Sequence, residues 1–456
     1  MRVALVAPYA EDLPDLSTTQ YPPLGILYLA ASIKDIAEDI MVLDASFLKL
    51  NVEQTYKRIK EFHPHVVGIS INMTTEKSAK ELAVCIRKNN PNIKLVTGGP
   101  SPTVAPEEWY GYFDVVTAGE GEIAFRNVIQ QYLTKDSISC TVKGICVDGK
   151  EATKACHPDI ENLPFPAYQY LVPPLACYSN KARLVKKYMA PLLTSRGCPY
   201  CCTFCDKSVH GINFRPRTPE SVLQEIKWLH DEYGVHQFDI LDDNFTFDLT
   251  RAEKILDGII KMKNIRITCQ NGLRADRVTP TLVQKMKKAG VLRVGIGIES
   301  GNESVLQRIN KKLDLNKVEY AISLFRQHRI TVHGFFIIGF PFESELDIKD
   351  TINFAIKANP HFANFSRFMP IKGTALFDEL LSKGLLTEKQ EHNFFSLTAP
   401  VKYDNITEER LNQLFHSIWR DFYLRPSKVF DILKNIKSFK EFIWIIRLGI
   451  SVLKRF

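Results

Sequence analysis

The sequence predicts an α/β protein: a doubly wound parallel sheet, then a partial barrel of six β/α units, then a helical region at the C-terminus. Two observations carry this prediction. Short apolar runs alternate with helical patterns in residues 1–140, and the alternation resumes in residues 189–385 after a turn-rich stretch. The chain has 456 residues, 45% of them hydrophobic and 24% charged, which is enough for two or three packed domains.

The first domain, residues 1–140, is predicted to hold strands at 2–7, 40–44, 66–71, 94–97 and 115–118, with helices at 24–37, 52–62, 79–88 and 122–133. A doubly wound sheet binds ligands at the carboxyl ends of its strands. The candidate residues at those ends are Pro8, Tyr9, Asp44, Ser70, Asn72, Gly98, Gly99, Gly119 and Glu120. The glycines either let the backbone approach a large ligand closely or merely form tight turns.

Residues 141–188 are rich in proline and lack a long periodic segment, which predicts a connector between domains. The barrel is predicted over residues 189–385, with strands at 190–195, 237–241, 266–270, 293–298, 332–338 and 364–369. In a barrel of this kind the functional residues gather at the carboxyl ends of the strands. A cysteine cluster directly follows the first of these strands.

Three cysteines, Cys198, Cys202 and Cys205, have the spacing C-x3-C-x2-C, so that one short loop is able to wrap three thiolates around a cuboidal iron-sulfur cluster. Such clusters normally have four cysteine ligands, and three would leave one iron open. The alternative uses Cys201 as a fourth ligand for tetrahedral zinc. Four cysteines within eight residues would make a cramped zinc site, so Cys201 is expected to be a spare, small, buried residue.

The cysteine loop resembles that of the radical S-adenosylmethionine (SAM) superfamily, and residues 1–425 resemble its cobalamin-binding branch, which includes radical methylases and anaerobic cyclases. The resemblance rests on the cysteines together with Tyr-Pro-Pro-Leu-Gly at 21–25, Val-Val-Gly-Ile-Ser at 66–70, Gly-Gly-Pro at 98–100 and Gly-Glu-Gly-Glu at 119–122. It implies a Rossmann-like cobalamin domain and a TIM-type radical SAM barrel. The implied cofactors are a [4Fe-4S] cluster on Cys198, Cys202 and Cys205, SAM on the open iron, and cobalamin.

The resemblance also implies residues that contact SAM. Phe204 is the aromatic residue before the third cysteine, and Asp242 or Asp243 would meet the amino group of SAM. Glu299 and Ser300 end the fourth barrel strand, and Gly339 ends the fifth on the adenine side; an ordinary strand-to-helix turn is the alternative for each. Arg215 and Arg217 either steer the SAM carboxylate or cover the barrel rim.

The stretch around Asp44 lacks the histidine of the Asp-x-His-x-x-Gly motif that many cobalamin domains carry, so that motif gives the cobalt no histidine ligand. His63 and His65 lie before a strand and are expected to be surface residues.

The implied reaction begins with a 5′-deoxyadenosyl radical that abstracts hydrogen from an unactivated carbon, to which methylcobalamin then donates a methyl group. Oxidative cyclisation or rearrangement is a second option, and a non-enzymatic cobalamin or iron-sulfur sensor is a third. No catalytic residue is assigned beyond the cofactor contacts. The expected partners are a small-molecule or lipid substrate and a one-electron donor such as flavodoxin or ferredoxin.

The net charge of +8 is concentrated in the tail, so a nucleic-acid partner is not indicated. The sequence has no segment apolar enough to span a membrane, no cationic leader, and no disulfide framework among its ten cysteines, which predicts a cytoplasmic enzyme. Residues 386–456 are expected to be helical, and apolar residues recur at helical spacing within 428–456. This tail either docks on the barrel or lies on an anionic membrane surface.

Overall fold

The computed structural model describes residues 1–9, 21–135, 138–139, 142–147, 156–178, 188–386, 401–435 and 443. Within these residues the chain forms two large sheets, each dominated by parallel strands. The predicted α/β class, with a doubly wound sheet before a partial barrel, is confirmed.

The first sheet belongs to the N-terminal part of the chain. Its strands are β1 (Arg2–Ala7), β2 (Asp39–Asp44), β3 (Val66–Ser70), β4 (Lys94–Gly98), β5 (Val115–Thr117), β6 (Ile145–Cys146) and β7 (Leu171–Val172). Their order is β6-β5-β4-β3-β1-β2-β7, and each neighbouring pair is parallel except β5 with β6. The chain reverses its winding direction between β1 and β3, where a doubly wound sheet opens a ligand crevice.

Helices surround this sheet: α1 (Leu24–Ile33), α2 (Ala45–Leu48), α3 (Val52–Phe62), α4 (Glu76–Asn89), α5 (Pro100–Val104) and α6 (Gly121–Thr134). Because both faces are covered, β1 and β3 are nearly continuous apolar runs with buried interiors. Local sequence fixes the helix ends. The side chain of Asn51 accepts from the backbone N–H of Gln54, whose side chain accepts from Asn51 in return, and this capping box begins α3.

The second sheet is the partial barrel. Its strands are β8 (Tyr188–Leu192), β11 (Val235–Ile240), β12 (Arg266–Leu273), β13 (Val291–Glu299), β14 (Thr331–Ile338) and β15 (Phe362–Arg367). All neighbouring pairs are parallel, in the order β15-β14-β13-β12-β11-β8, so the strands follow one another in chain order as six β/α units require. A short antiparallel pair, β9 (Ser195–Arg196) with β10 (Arg215–Pro216), follows β8 and brackets the cysteine loop.

The helices of the barrel and the C-terminal region are α7 (Pro219–Tyr233), α8 (Leu249–Ile260), α9 (Pro280–Lys288), α10 (Glu303–Arg308), α11 (Leu315–Gln327), α12 (Glu345–Ala358), α13 (Ala375–Ser382), α14 (Glu408–Tyr423) and α15 (Pro426–Asn435). α14 packs on α12 and β15, and Asp431 of α15 forms an ion pair with Arg326 of α11. These contacts dock the start of the predicted tail on the barrel. The rest of that tail, apart from residue 443, lies outside the described residues.

The domain boundaries stay predictions, although the segment 141–188 does more than connect: β6 and β7 lie in it and add a strand to each edge of the first sheet. Among the described residues, no helix is long and apolar enough to cross a membrane.

Candidate active site

A cavity of about 470 Å³ lies where the carboxyl ends of the first sheet meet the start of the barrel. Residues from both domains line it. On the side of the first sheet they include Ser70, Gly98, Gly99, Gly119, Glu120 and Gly121, and on the side of the barrel they include Arg196, Cys198, Cys205, Lys207, His210 and Asp243. The structure thereby brings five of the predicted cobalamin residues together with two of the predicted cluster cysteines.

The turn after β4 requires glycine. Gly99 has φ +111°, and a Cβ atom added there would lie 2.5 Å from the carbonyl oxygen of Ile71. A side chain on Gly98 would collide with the hydroxyl of Thr117. Because both positions exclude side chains, bare backbone forms this wall of the cavity, and a flat ligand is able to approach it closely.

The cysteine loop is fixed from several sides. The backbone N–H of Thr203 donates to the carbonyl of Ile309 (3.0 Å), and the amide of Asn310 donates to the carbonyl of Cys201 (2.7 Å). The ring of Tyr200 lies 3.8 Å from the guanidinium of Arg274. These contacts hold the loop against the barrel between β9 and β10.

The thiols of the loop differ in exposure. Cys198 and Cys202 are half-buried, whereas Cys205 and Cys201 are exposed. The expectation that Cys201 is buried was therefore wrong, because its loop position faces solvent and not the barrel. Burial raises the pKa of the Cys202 thiol, while the positive charges of Lys311 and Arg274 act in the opposite direction.

In the described part of the chain, no three His, Cys, Asp or Glu side chains converge closely enough to hold a single metal ion. A cuboidal cluster binds each thiolate to a different iron, so its three ligands need not converge on one point.

The adjacent residues Asp242 and Asp243 have separate positions. Asp242 is fully buried, and its carboxylate accepts from the backbone N–H of Thr194 (2.6 Å) and from the hydroxyls of Thr194 and Ser195. Asp243 lines the cavity and accepts from the N–H of Gly197 at 3.0 Å. Asp242 thus fixes the turn after β8, and Asp243 is the carboxylate of the two that lines the cavity.

Glu299 ends β13 in the left-handed region, with φ +70°, and its carboxylate lies 2.8 Å from the ammonium of Lys311. Burial alone would lower the pKa of Lys311, but the neighbouring Glu299 carboxylate raises it above its ordinary value. Ser300 is fully buried and its hydroxyl lies 3.0 Å from that of Thr351, so it shapes the turn.

Gly339 has φ +79° at the end of β14. Its N–H and that of Phe340 donate to one oxygen of the buried Glu343, at 2.6 and 2.9 Å. Phe204 packs on the ring of Phe340 with 6.0 Å between ring centroids. The predicted Phe204 and Gly339 are therefore joined through Phe340, behind the cysteine loop.

A buried ionic network joins the two domains beside the cavity. Glu120 forms ion pairs with Arg196 (3.0 Å) and Arg215. The Nδ1 atoms of His210 and His157 lie 2.9 and 3.6 Å from the same carboxylate. Arg196 also donates to Glu122 at 2.7 Å. The loop at the start of α6 and the cysteine loop are thus held at a fixed separation.

Arg215 and Arg217, which the sequence assigns either to the SAM carboxylate or to the barrel rim, both form ion pairs within the protein. Arg215 belongs to the Glu120 network, and Arg217 forms a buried ion pair with Glu225 of α7. Arg217 therefore stabilises the barrel wall.

Four of the predicted cobalamin residues do not line the cavity. Pro8 and Tyr9 lie beside Asn51 and Thr55 in a separate small crevice. Asp44 caps α2 and accepts from the hydroxyl of Tyr178 at 2.7 Å, and Asn72 accepts from Thr74 in a local turn.

Comparison with known proteins identifies the family to which this chain belongs. A model of the radical SAM superfamily matches residues 192–355, and a model of the B12 binding domain matches residues 16–129. An uncharacterized methyltransferase of Pyrococcus horikoshii is 31% identical over 453 residues, which cover 97% of this chain and 96% of that protein.

The chain belongs to the cobalamin-binding radical SAM enzymes.

Two further relatives differ in the reactions that their names give. The cytidylyl-2-hydroxyethylphosphonate methyltransferase of Streptomyces wedmorensis is 27% identical over 488 residues, 92% of this chain and 89% of that protein. The anaerobic magnesium-protoporphyrin IX monomethyl ester cyclase of Synechocystis is 29% identical over 335 residues, 68% of this chain and 63% of that protein. The solved structure of OxsB with aqua-cobalamin and SAM has the same fold, with a TM-score of 0.77 at 17% identity over 99% of this chain and 71% of OxsB.

The cofactors of this radical SAM enzyme are a [4Fe-4S] cluster, SAM and cobalamin. The residues present fit them. Three thiols share one loop, and two of them line the cavity together with Asp243. A wall of glycine backbone at Gly98 and Gly99 leaves room for a large flat ligand.

The sequence did not single out Arg196, His210, Lys311 or Tyr21 as site residues. Tyr21 donates to the buried Asp239 of β11 at 2.7 Å and so reaches from the cobalamin domain into the barrel. Arg196 and His210 flank the cysteine loop in sequence, which is the one signal that would have pointed to them.

Proposed function

We propose that this radical SAM enzyme methylates an unactivated carbon of a small-molecule substrate. The observation that supports this most strongly is the cavity shared by Gly98, Gly99 and Gly119 of the first sheet and by Cys198 and Cys205 of the cluster loop. The likeness over nearly the whole chain to a protein named as a methyltransferase adds to it.

When bound, the cluster and SAM supply a 5′-deoxyadenosyl radical and cobalamin supplies a methyl group. Cys198, Cys202 and Cys205 would hold the cluster, and the glycine wall would hold cobalamin. Asp243 would bind the amino group of SAM, since its carboxylate lines the cavity whereas that of Asp242 is buried. The Glu299–Lys311 pair and the turn at Gly339 would meet the ribose and adenine ends.

The ionic network is proposed to set the distance between the two cofactor sites. Arg196 bridges Glu120 and Glu122 of the cobalamin domain and stands two residues before Cys198. Such alignment of reacting groups contributes strongly to catalysis, because a small misplacement lowers the rate steeply.

The electron that starts the reaction would come from a one-electron donor such as flavodoxin or ferredoxin. Contact of the tail with a membrane lacks support, because most of the predicted tail helix lies outside the described residues.

The test uses the full chain, reconstituted anaerobically with iron, sulfide and cobalamin, reduced, and given SAM with a ¹³C-labelled methyl group. We expect 5′-deoxyadenosine and labelled methyl recovered with the cobalamin fraction. Oxidative cyclisation is the second candidate, because a cyclase is among the relatives. It would give deoxyadenosine without labelled cobalamin, and that outcome would replace methyl transfer.

A further inference from the structure

The cluster loop has a second side, which does not line the cavity. Cys198 and Cys205 line the cavity, whereas Tyr200 and Cys201 do not. Cys201 is exposed and directly precedes Cys202 in the chain. The loop therefore brings one of its predicted cluster ligands to within one residue of the protein surface.

Aromatic rings lie on this second side of the loop. The ring centroid of Phe247 is 6.1 Å from that of Tyr200 and 4.8 Å from that of Phe214. All three residues are half-buried, and none of them lines the cavity. Together they form a partly exposed aromatic surface beside the cysteines.

Two cations border these rings, and neither forms an ion pair in the described part of the chain. The guanidinium of Arg277 lies 5.8 Å from the ring centroid of Phe247, and its Nε lies 3.5 Å from the hydroxyl oxygen of Tyr200. Lys312 is exposed. Its backbone carbonyl accepts from Arg274 at 2.9 Å, and the guanidinium of Arg274 lies over the Tyr200 ring, so both cations belong to the same surface.

The acidic residues beside these cations have other partners. Asp276 forms an ion pair with Arg274, and the side chain of Asp314 caps the first turn of α11. The positive charges of Arg277 and Lys312 are thus available to a second molecule, and an acidic protein complements them.

We propose that this surface, formed by Tyr200, Phe214, Phe247, Arg277 and Lys312, is the docking site of an acidic one-electron donor protein. Aromatic residues and arginine are enriched at the centres of protein interfaces. One electron passes from the donor, which is oxidised, to the cluster on the same loop, which is reduced. The inference rests on the cofactor set of the proposed function and adds the place where its reductant binds.

Reduction of the cluster by flavodoxin tests this, with the full chain carrying the cluster alone and no SAM. Flavodoxin hydroquinone loses one electron to the oxidised cluster and becomes the semiquinone, so stopped-flow absorbance follows the transfer. We expect R277E/K312E to react about 10-fold more slowly than the wild type at low ionic strength, because two attractive charges become repulsive. Added salt should slow the wild type and not the variant.

Two controls separate docking from folding. Dithionite, a small reductant, should reduce the cluster completely in both R277E/K312E and the wild type. K57E/R58E makes the same change of charge at two exposed residues of α3 and should react with flavodoxin at the wild-type rate. Equal flavodoxin rates in the wild type and R277E/K312E, or equal losses in the two double variants, would overturn the proposal. If R277E prevents cluster assembly, K312E alone decides.

A zero-length cross-link locates the donor on the wild type. Carbodiimide joins a lysine of the chain to a carboxylate of flavodoxin, and mass spectrometry identifies the lysine. We expect Lys312 among the linked residues. Cross-links confined to the lysines of residues 428–456 would place the donor on the basic tail and contradict this docking site.

The docking site and the proposed function fail separately. Deoxyadenosine and labelled cobalamin formed with dithionite, together with unchanged flavodoxin rates in R277E/K312E, would remove the docking site and leave methyl transfer standing. Flavodoxin reduction that depends on both cations, in a chain that forms no deoxyadenosine, would support the docking site and remove the proposed reaction.

Discussion

The four cysteines of the cluster loop differ in how the fold positions them. Cys198 and Cys205 line the cavity, and Cys202 lies within electrostatic reach of Lys311 and Arg274. Cys201 points to solvent and its carbonyl, not its thiol, contacts the barrel.

Cys202→Ala is expected to abolish cluster assembly and deoxyadenosine formation, because two thiolates cannot hold the cluster. Cys201→Ala is the matched control in the same loop. It should retain both properties and change the free energy of unfolding by no more than about 0.5 kcal/mol, as is usual for surface substitutions. Iron and sulfide content, absorbance and deoxyadenosine yield are the measurements. Equal losses in the two variants would point to a four-cysteine site.

The buried Glu343 makes stability depend on pH. Burial raises its pKa to about 8 in spite of the two backbone N–H groups that donate to it. Between the ordinary value of 4.5 and about 8, the folded chain keeps a proton that the unfolded chain has lost. The free energy of unfolding therefore falls as the pH rises through this range.

Glu343→Gln keeps an acceptor oxygen for the two backbone N–H groups and removes the titrating carboxyl. The free energy of unfolding of this variant should therefore fall less than that of the wild type between pH 4.5 and about 8, and the difference should be a few kcal/mol. Glu345→Gln is the control, since Glu345 is only half-buried and pairs with Arg410 at the surface. Urea unfolding at a series of pH values measures the difference. Parallel curves for wild type and Glu343→Gln would show that Glu343 is ionised throughout.

At the scale of elements, the turn after β4 contributes bare backbone at Gly98 and Gly99 to the wall of the cavity. Gly111→Ala is the control for a substitution in this turn. It should lower the free energy of unfolding by only about 1–2 kcal/mol, the strain of an alanine at positive φ, because a Cβ atom at residue 111 would have nothing within 4 Å. Gly99→Ala adds the collision with Ile71 and should lose more stability and most of its cobalamin affinity. Urea unfolding and absorbance titration measure both, and equal losses would contradict the assigned role of this turn.

Strands and helices beside the cavity were predictable from the sequence where apolar residues form a regular pattern, and were missed where they do not. β1 and β3 were evident because strands covered on both faces are apolar throughout. β6 and β7 were missed, since two-residue strands have no period and exist only by pairing with distant strands. Asp242 and Asp243 could not be told apart, because the direction in which each side chain points depends on the turn that they enter.

The contacts between the domains were also beyond the sequence. Glu120 meets Arg196 across 76 residues and His210 across 90 residues of chain, and no local pattern joins them. The predicted cluster residues needed no such contact, since they lie in one short loop.

At the scale of the whole molecule, Arg196 is expected to hold the two domains in register. Arg196→Ala leaves Glu120 and Glu122 buried with one cation fewer, a change that typically costs about 3–5 kcal/mol. Hydrogen exchange should rise in residues 119–122 and 195–217, and cobalamin should be lost on gel filtration. Arg126→Ala removes an exposed pair with Asp35 and serves as control. If Arg196→Ala behaves like Arg126→Ala, the network does not align the domains.

The central claim is that cobalamin and the iron-sulfur cluster occupy one cavity, and the magnetic interaction between them tests it most directly. With the cluster reduced and cobalamin as Co(II), the wild type should show dipolar broadening of the cobalt signal in electron paramagnetic resonance, and Cys202→Ala, which lacks the cluster, should not. Cobalt and cluster signals that simply add, with no broadening in the wild type, would contradict a shared cavity.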